Sequence, residues 1–592
     1  MTDENVWDLT VLVEKEDPKW IKSAIDKAVE KAKEFNSKYK GKVKEATAEF
    51  LLTILKESDQ MQLEYENPFL YSHFRYAANQ TDPVGKDLHD YASNAMMKIG
   101  QLTTFFELEL GELLKTNPKI IEDPVLSEYK HYLEKIAKQV PYQLSEVEEQ
   151  LIIEKDRFGI DAWSQLQSQW LATRTFEIEI DGEKKVLPYG EIIGYYMHPD
   201  RDLRKRAYST VYKKLGEDHI IWSSALRSVC SDHMMQVKRR GYPSPMFPSL
   251  LANDVDQETI DSLIKTILDN VGFYRKYLKL KAKLLGLKKL GNWDIVAPLP
   301  DSEITFDWKK AREFVENAYA SFDEEFGKWI KEMFEKRHID GAVRVGKESG
   351  AWCAPWLSGK SAWILLSFTG KLGDVYTLAH ENGHAMHDYL MSRNQVPTNC
   401  EPGACIAETG SITGELLLTD LLLANAKDDK EKVAILCHVL DEFGMAAFQV
   451  SARVLFEQSL YDAIAKGEFL DGEKISELWV KARDTIYGDA VEWLPEMKWE
   501  WTMKMHYYIP RFRFYNYPYV YAQLFVFALY QKYKEEGKEF VPKLKKILAA
   551  GSSKSPRDLA LEIGFDVADP NFWKAGIKQA ESLLKELEKL TK

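Results

Sequence analysis

Leu378-Ala379-His380-Glu381-Asn382-Gly383-His384-Ala385-Met386-His387 is the stretch around which this chain is organised. On an α-helix, residues four apart lie one turn apart on the same face. His380 and His384 can therefore direct two imidazole nitrogens at one metal ion. Glu381, one position on from His380, can reach a water that such an ion polarises without being a ligand itself. His-Glu-x-x-His on a helix is the zinc-peptidase arrangement. The reading demands a helix over this tract, a metal, and a fold that delivers a further ligand to the same face.

A catalytic zinc takes three protein ligands and keeps a fourth position open. The downstream candidates for the third are Glu401, Glu408, Glu415 and His387. His387 lies near the right face, but a third ligand from the same helix would crowd the ion, so it reads as an orienting or structural histidine. Glu408 stands in Cys405-Ile406-Ala407-Glu408-Thr409-Gly410-Ser411-Ile412-Thr413-Gly414-Glu415-Leu416, a tract otherwise of apolar and small residues. A carboxylate buried there needs a partner. Glu408 and Glu415, seven apart, share a helix face, so one can bind metal while the other holds a ligand's second nitrogen. Residue chemistry favours Glu408, because Glu415 leads into the Leu416-Leu417-Leu418 run, but it does not fix the spacing to the third ligand.

The remaining composition sets the frame. A chain of 592 residues exceeds one typical core, so two or more lobes are expected. Apolar residues make up 45% and aromatics 12%, with 16 Trp and 29 Tyr, enough for a large core and for lining a cleft. A net charge of −13 without a long basic run argues against a nucleic-acid or anionic-membrane role. Met1-Thr2-Asp3-Glu4-Asn5 has no basic segment followed by an apolar run, and no stretch approaches ~18 uninterrupted apolar residues, so neither a secretory signal nor a membrane span is expected. Cys230, Cys353, Cys400, Cys405 and Cys437 are odd in number and scattered, and read as reduced buried thiols of a cytoplasmic protein.

Along the chain, apolar residues at three- and four-residue spacing predict helices over Trp20 to Tyr39, Ala46 to Asn67 and Asp87 to Leu114, with a break at Asp82-Pro83. Thr175 to Ile180, Asp181-Gly182 and Glu183 to Leu187 predict a β-hairpin. Helices are expected from Leu203 to Lys214 and on through Leu285, interrupted near Gly241 to Pro245. A loop-rich connector covers Gly286 to Pro300, and helices resume from Asp307 to Lys336. Gly341 to Val345 and Ser361 to Phe368 read as short strands just upstream of the His-Glu helix, where an edge strand could pair with an extended peptide. After His387 the chain reads as mainly helical.

With these residues in hand, the chain resembles the M3 metallopeptidases, the thimet oligopeptidase and oligoendopeptidase F group. The resemblance rests on His380 to His387, on Ala407-Glu408 with Ser411 and Glu415 at fixed offsets, and on a His380-to-Glu408 spacing similar to the oligoendopeptidase F branch. It extends to Trp7-Asp8-Leu9-Thr10, Asp202 to Ala207, Trp293 to Leu299, Ser349 to Cys353 and Asp374 to Ala379. It implies a mainly α fold of two helical lobes around a deep channel, with a small sheet beside the metal helix, divided here at residues 1–195 and 196–592. It also implies one zinc ion held by His380, His384 and Glu408, with Glu381 as general base.

Peptide hydrolysis needs an oxyanion donor besides the metal. In the M3 family a histidine and spaced tyrosines serve. His506 and Phe514-Tyr515-x-x-x-Tyr519 resemble them, although the His506-to-Tyr515 gap is longer than in thimet-type members. A further tyrosine found in some members falls near Ala522 or Gln523, which leaves Tyr517 and Tyr521 as alternatives. Gly350, Ala351 and Trp352 are the expected backbone partners of the substrate. The function read from all this is a zinc oligoendopeptidase acting on short unstructured peptides. Its alternatives are an M3-type exopeptidase and a zinc-containing peptide-binding protein without turnover.

Overall fold

The computed structural model describes residues 3–299 and 304–592. Met1 and Thr2 of the acidic opening and Pro300 of the connector lie outside the described residues. The chain is mostly helical. It divides into two compact units of three segments each: Met1–Pro141, Glu303–Asn425 and Lys532–Phe565 in the first, and Tyr142–Ser302, Ala426–Gln531 and Asp566–Lys592 in the second. The linear division at residue 195 falls inside the first segment of the second unit.

The first unit opens with α1 (Pro18–Tyr39), α2 (Ala48–Ala78) and α3 (Pro83–Thr116). Asp17, Thr47 and Asp82 each accept hydrogen bonds from first-turn N–H groups, and Pro18 and Pro83 stand where a helix needs no N–H donor. The apolar stripe of α1 is buried, and Phe35 meets Leu51, Ile54 and Leu110 in one core. Each such side chain contributes about 1.5–3 kcal/mol on burial.

Next in this unit come α4 (Trp308–Phe322), β1 (Ile339–Asp340), β2 (Trp352–Trp356), β3 (Ser361–Leu365), α5 (Leu372–Asn394) and α6 (Thr409–Asn425). The sheet order is β1-β3-β2, with β1 parallel to β3 and β2 antiparallel to it, Trp352 opposite Leu365 and Trp356 opposite Ser361. β2 is thus an edge strand.

Gly341 to Val345, expected as a strand, is not one, and the expected strand Ser361 to Phe368 ends at Leu365. The reason is Asp340. Its fully buried carboxylate gathers Arg344 and Lys347 at 2.7 Å each, which turns the chain back directly after β1. The opening motif docks on the same sheet: Trp7 Nε1 donates to the His338 carbonyl at 3.0 Å, and Asp8 caps the turn Leu9–Leu12.

In the second unit, Thr175–Ile180 and Glu183–Pro188 form the predicted hairpin around Asp181 and Gly182, both at positive φ as a tight hairpin turn requires. Asp294, fully buried, binds Arg201 and Arg204, so two segments that carry the resemblance meet in one ion-pair hub. The helical run Asp429–Ala465 is long and apolar enough to cross a membrane by length and composition alone, although charged and polar residues interrupt it. Of its apolar window, 61% is buried, and it packs against helices Gly472–Tyr487 and Pro570–Leu590 of the same unit as a core element. All five cysteines are free thiols, four of them buried.

Candidate active site

α5 supplies two candidate ligands from one face. The rings of His380 and His384 are 4.9 Å apart with planes at 78°. Glu408 lies between the short helix Ala404–Ala407 and α6. Its Oε2 is 3.3 Å from His380 Nε2 and 3.4 Å from His384 Nε2. Tetrahedral donors each ~2.1 Å from a zinc ion are about 3.4 Å from one another. The three donor atoms, all within 4.8 Å of one another, therefore fit a single ion with nitrogen and oxygen ligation. Exposed Glu401 and buried His387 are not members of this group.

Glycines make the convergence possible. A Cβ on Gly383 would lie 2.3 Å from the Gly410 oxygen, and one on Gly410 would lie 2.2 Å from the Gly383 oxygen. Without side chains, the backbones of α5 and α6 touch. One turn along α6, Gly414 makes room for Tyr319 of α4, whose hydroxyl donates to the Ala379 carbonyl at 2.7 Å. This crossing carries Glu408 and Glu415 to the histidines. Glu415 Oε1 accepts from His380 Nδ1 at 2.7 Å, which leaves Nε2 turned toward Glu408 and available to a metal. Ser411 Oγ donates to Glu408 Oε2 at 2.6 Å.

The charges follow from these contacts. Burial works to lower the His380 pKa, but the hydrogen bond and charge of Glu415, with Glu408 and Glu381 behind it, raise it to about 9. Burial works against ionised Glu408, yet His384, His380 and Ser411 hold it at about 2. Glu381 is only 6% exposed, and burial raises its pKa against the opposing pull of His380 and His384. Burial holds His387 at about 4.

Three contributors were not singled out from the sequence. Tyr319 and the Gly410/Gly414 pair position the helices, and the signal available for them was the four-residue spacing of the glycines. Asp388, one turn beyond His384, is reached by the Cys353 thiol of β2 at 3.8 Å, and burial lifts its pKa to about 7. An acid at that spacing on the metal helix was the available signal.

Gly350 is exposed at φ +96° and Ala351 is half-buried. The Trp352 indole packs against Trp7 at 5.6 Å and His73 at 5.5 Å, so what this segment presents to a ligand is mainly backbone. Pro355 has no N–H and cannot form a doubly hydrogen-bonded pair with Ala362 opposite it. Alternation along the strand then turns the N–H and C=O of Cys353 to the open edge.

The second unit holds His506, Tyr515 and Tyr519 together. His506 stacks on Tyr515 at 5.5 Å, and Tyr519 meets Tyr515 edge-on at 5.8 Å and His506 at 6.4 Å. Arg513 donates to the carbonyls of His506 and Ile509, and Phe514, at φ +53°, donates its N–H to buried Glu457. Tyr519 is 41% exposed, whereas Tyr517 and Tyr521 are fully buried, Tyr517 bonded to Ser249 and Tyr521 packed on Trp573.

Residues 195–579 match the family model described as Peptidase family M3, and residues 116–176 match one described as Oligopeptidase F. The chain is 28% identical to Oligopeptidase PepF of Bacillus subtilis, over 94% of this chain and 83% of that protein. It is also 28% identical to an oligoendopeptidase F homolog of Lactococcus lactis, over 100% of this chain and 98% of that protein. The crystal structure of a Chlamydophila abortus protein shares the fold with a TM-score of 0.88 at 21% identity, covering 100% of this chain and 99% of that one.

Proposed function

The chain belongs to peptidase family M3, and we propose that it is a zinc-dependent oligoendopeptidase that hydrolyses internal bonds of short, unstructured peptides. One observation carries this reading. A buried carboxylate, Glu381, stands beside a two-histidine, one-glutamate donor set and is not part of it. A protein that only bound peptides would need no such base.

Zinc, held by His380, His384 and Glu408, supplies Lewis acidity toward a carbonyl oxygen and lowers the pKa of water. Glu381 takes the proton from the attacking water and passes it to the leaving amine. Burial raises the Glu381 pKa against the pull of His380 and His384, the direction that suits a carboxylate which must accept a proton and return it. Glu415 keeps the His380 ring in its ligating orientation, and Ser411 does the same for the Glu408 carboxylate. In this reading the backbone at Gly350, Ala351 and Trp352 binds the substrate in extended form. His506, Tyr515 and Tyr519 of the second unit resemble the family's oxyanion donors, an assignment that rests on the resemblance and on their clustering. The five free thiols support a reducing, cytoplasmic setting.

The test is Glu381→Gln. The variant keeps the carboxylate's shape and is expected to retain metal content and thermal stability. Its turnover should fall by about 10²–10⁴-fold, read by mass spectrometry of products from terminally blocked peptides. Products from blocked peptides also separate internal cleavage from exopeptidase trimming. Wild-type-like turnover in Glu381→Gln would sink the assignment.

A further inference from the structure

We propose that the corner between α2 and α3 is a recognition wall for substrate side chains. There His73, Tyr76 and His89, with Trp352, form an aromatic shelf that receives every second side chain of a peptide on the open edge of β2 and favours an aromatic residue. This rests on the peptidase reading above and adds a specificity element to it.

The two faces of β2 differ in what they meet. Trp352, Ala354 and Trp356 pack into the core that α2 and α3 share with Trp7. Cys353 turns the other way, toward Asp388 of α5. Side chains alternate along a strand, and a residue in a paired strand points to the same face as the residue opposite it. A substrate residue opposite Cys353 therefore projects toward the metal helix. Its neighbour, opposite Trp352, projects toward the α2–α3 corner.

What it finds there is a run of rings rather than a sealed core. Trp352 stacks on His73 at 5.5 Å and 27°, His73 lies 5.8 Å from His89, and His89 stacks on Tyr76 at 4.5 Å and 16°. His73 is exposed, and Tyr76 and His89 are half-buried, so ring surface remains open to solvent. Imidazole and phenol rings offer an apolar body and a polar tip, which suits an aromatic side chain docking by offset stacking.

The shelf is also fixed in register with the edge. The loop that feeds β2 is tied to the corner by Glu348 N–H to the Ala77 carbonyl (2.8 Å) and Gln80 N–H to the Gly346 carbonyl (2.6 Å). Arg344 adds a bond from Nε to the Ala78 carbonyl at 3.0 Å. The rings and the strand edge therefore move as one piece.

The experiment uses peptide pairs identical except for Phe or Ala at one position, scanned along the sequence. The quantity read is the Phe-to-Ala ratio of kcat/KM. Wild type should prefer Phe at positions two apart and not at the position between. His73→Ala and, separately, His89→Ala should lower the ratio about 3- to 10-fold at those positions only, with metal content and melting temperature kept. A ratio unchanged in both variants, or a preference without the two-residue alternation, overturns the shelf and leaves the peptidase reading intact. The same pairs are titrated onto metal-loaded Glu381→Gln by tryptophan fluorescence. An alternating Phe preference in binding that is lost on adding His73→Ala supports the shelf even if wild type cleaves no peptide, the result that would instead overturn the peptidase reading.

Discussion

Gly383→Ala places one methyl group at the point where α5 and α6 cross. Its Cβ would lie 2.3 Å from the Gly410 oxygen, 2.5 Å from the Gly410 carbonyl carbon and 2.5 Å from Ser411 Cα. All three are backbone atoms, so no rotamer change relieves the contact. Carbon contacts relax near ~3.5 Å, so α6 must retreat by roughly 1 Å. Glu415 lies on α6 and Glu408 directly precedes it, and metal–ligand distances tolerate only about 0.2 Å. The overpacking itself costs about 1–3 kcal/mol, and this part should appear in chelator-treated protein. The displaced ligand geometry should weaken metal binding by a further 10–100-fold or so, the range associated with losing an orienting contact. Thermal unfolding in chelator isolates the first effect, and competition titration with a chromophoric chelator isolates the second. Gly373→Ala is the control: it lies on the same helix with nothing within 4 Å of its added Cβ, and should be neutral or slightly stabilising. Wild-type metal affinity and metal-free stability in Gly383→Ala would refute the claim that this backbone contact sets the triad.

Glu415→Gln should cost about 10–100-fold in metal affinity while leaving the chain folded, because it removes the charged acceptor that orients His380; unchanged affinity in a competition titration would count against that role. His233 in the second unit and His338 in the first are each held near 4 by burial, against 6.5 for an ordinary imidazole. Between those values the unfolded chain binds more protons than the native one, so their stability contribution is complete above pH ~6.5 and declines as pH falls toward 4; NMR should find both rings neutral at pH ~5.5, and protonated rings there would refute it. Tyr519→Phe should lower kcat by about 10–10³-fold with metal retained, whereas Tyr517→Phe, which loses a 3.0 Å bond to the Ser249 carbonyl, should cost about 1 kcal/mol of stability and leave kcat within a few-fold; the opposite pattern in steady-state kinetics would exchange their roles.

The grouping of His380, His384 and Glu408 was legible because it combines a helical period with one carboxylate stranded in an apolar tract, and both signals are local. The crossing that assembles it was not. A glycine at position 383 announces close approach but not the partner, and Gly410 is identified only once α6 is folded back. Gly341 to Val345 failed as a strand for a related reason. Its composition suits an edge, but Asp340 is a buried charge whose cations, Arg344 and Lys347, lie four and seven residues ahead, and satisfying it bends the chain. Asp202 to Ala207 and Trp293 to Leu299 marked the resemblance, and the structure joins them through a buried ion pair of Arg204 and Asp294 that neither segment announces alone.

The tyrosine tract shows the same limit most sharply. Tyr515 and Tyr519, and Tyr517 and Tyr521, are two interleaved pairs with identical four-residue spacing, so periodicity cannot choose between them. The structure makes the choice by burial. Tyr517 and Tyr521 are packed inside with Val520, Leu524 and Ala528. The helix Tyr517–Glu536 is buried on nearly every side, Ala522, Gln523, Val526 and Phe527 on Tyr519's own side included. Tyr519 stands in its first turn and is left exposed next to Tyr515 and His506. Burial around this one helix therefore separates Tyr519, at the surface, from Tyr517 and Tyr521, inside.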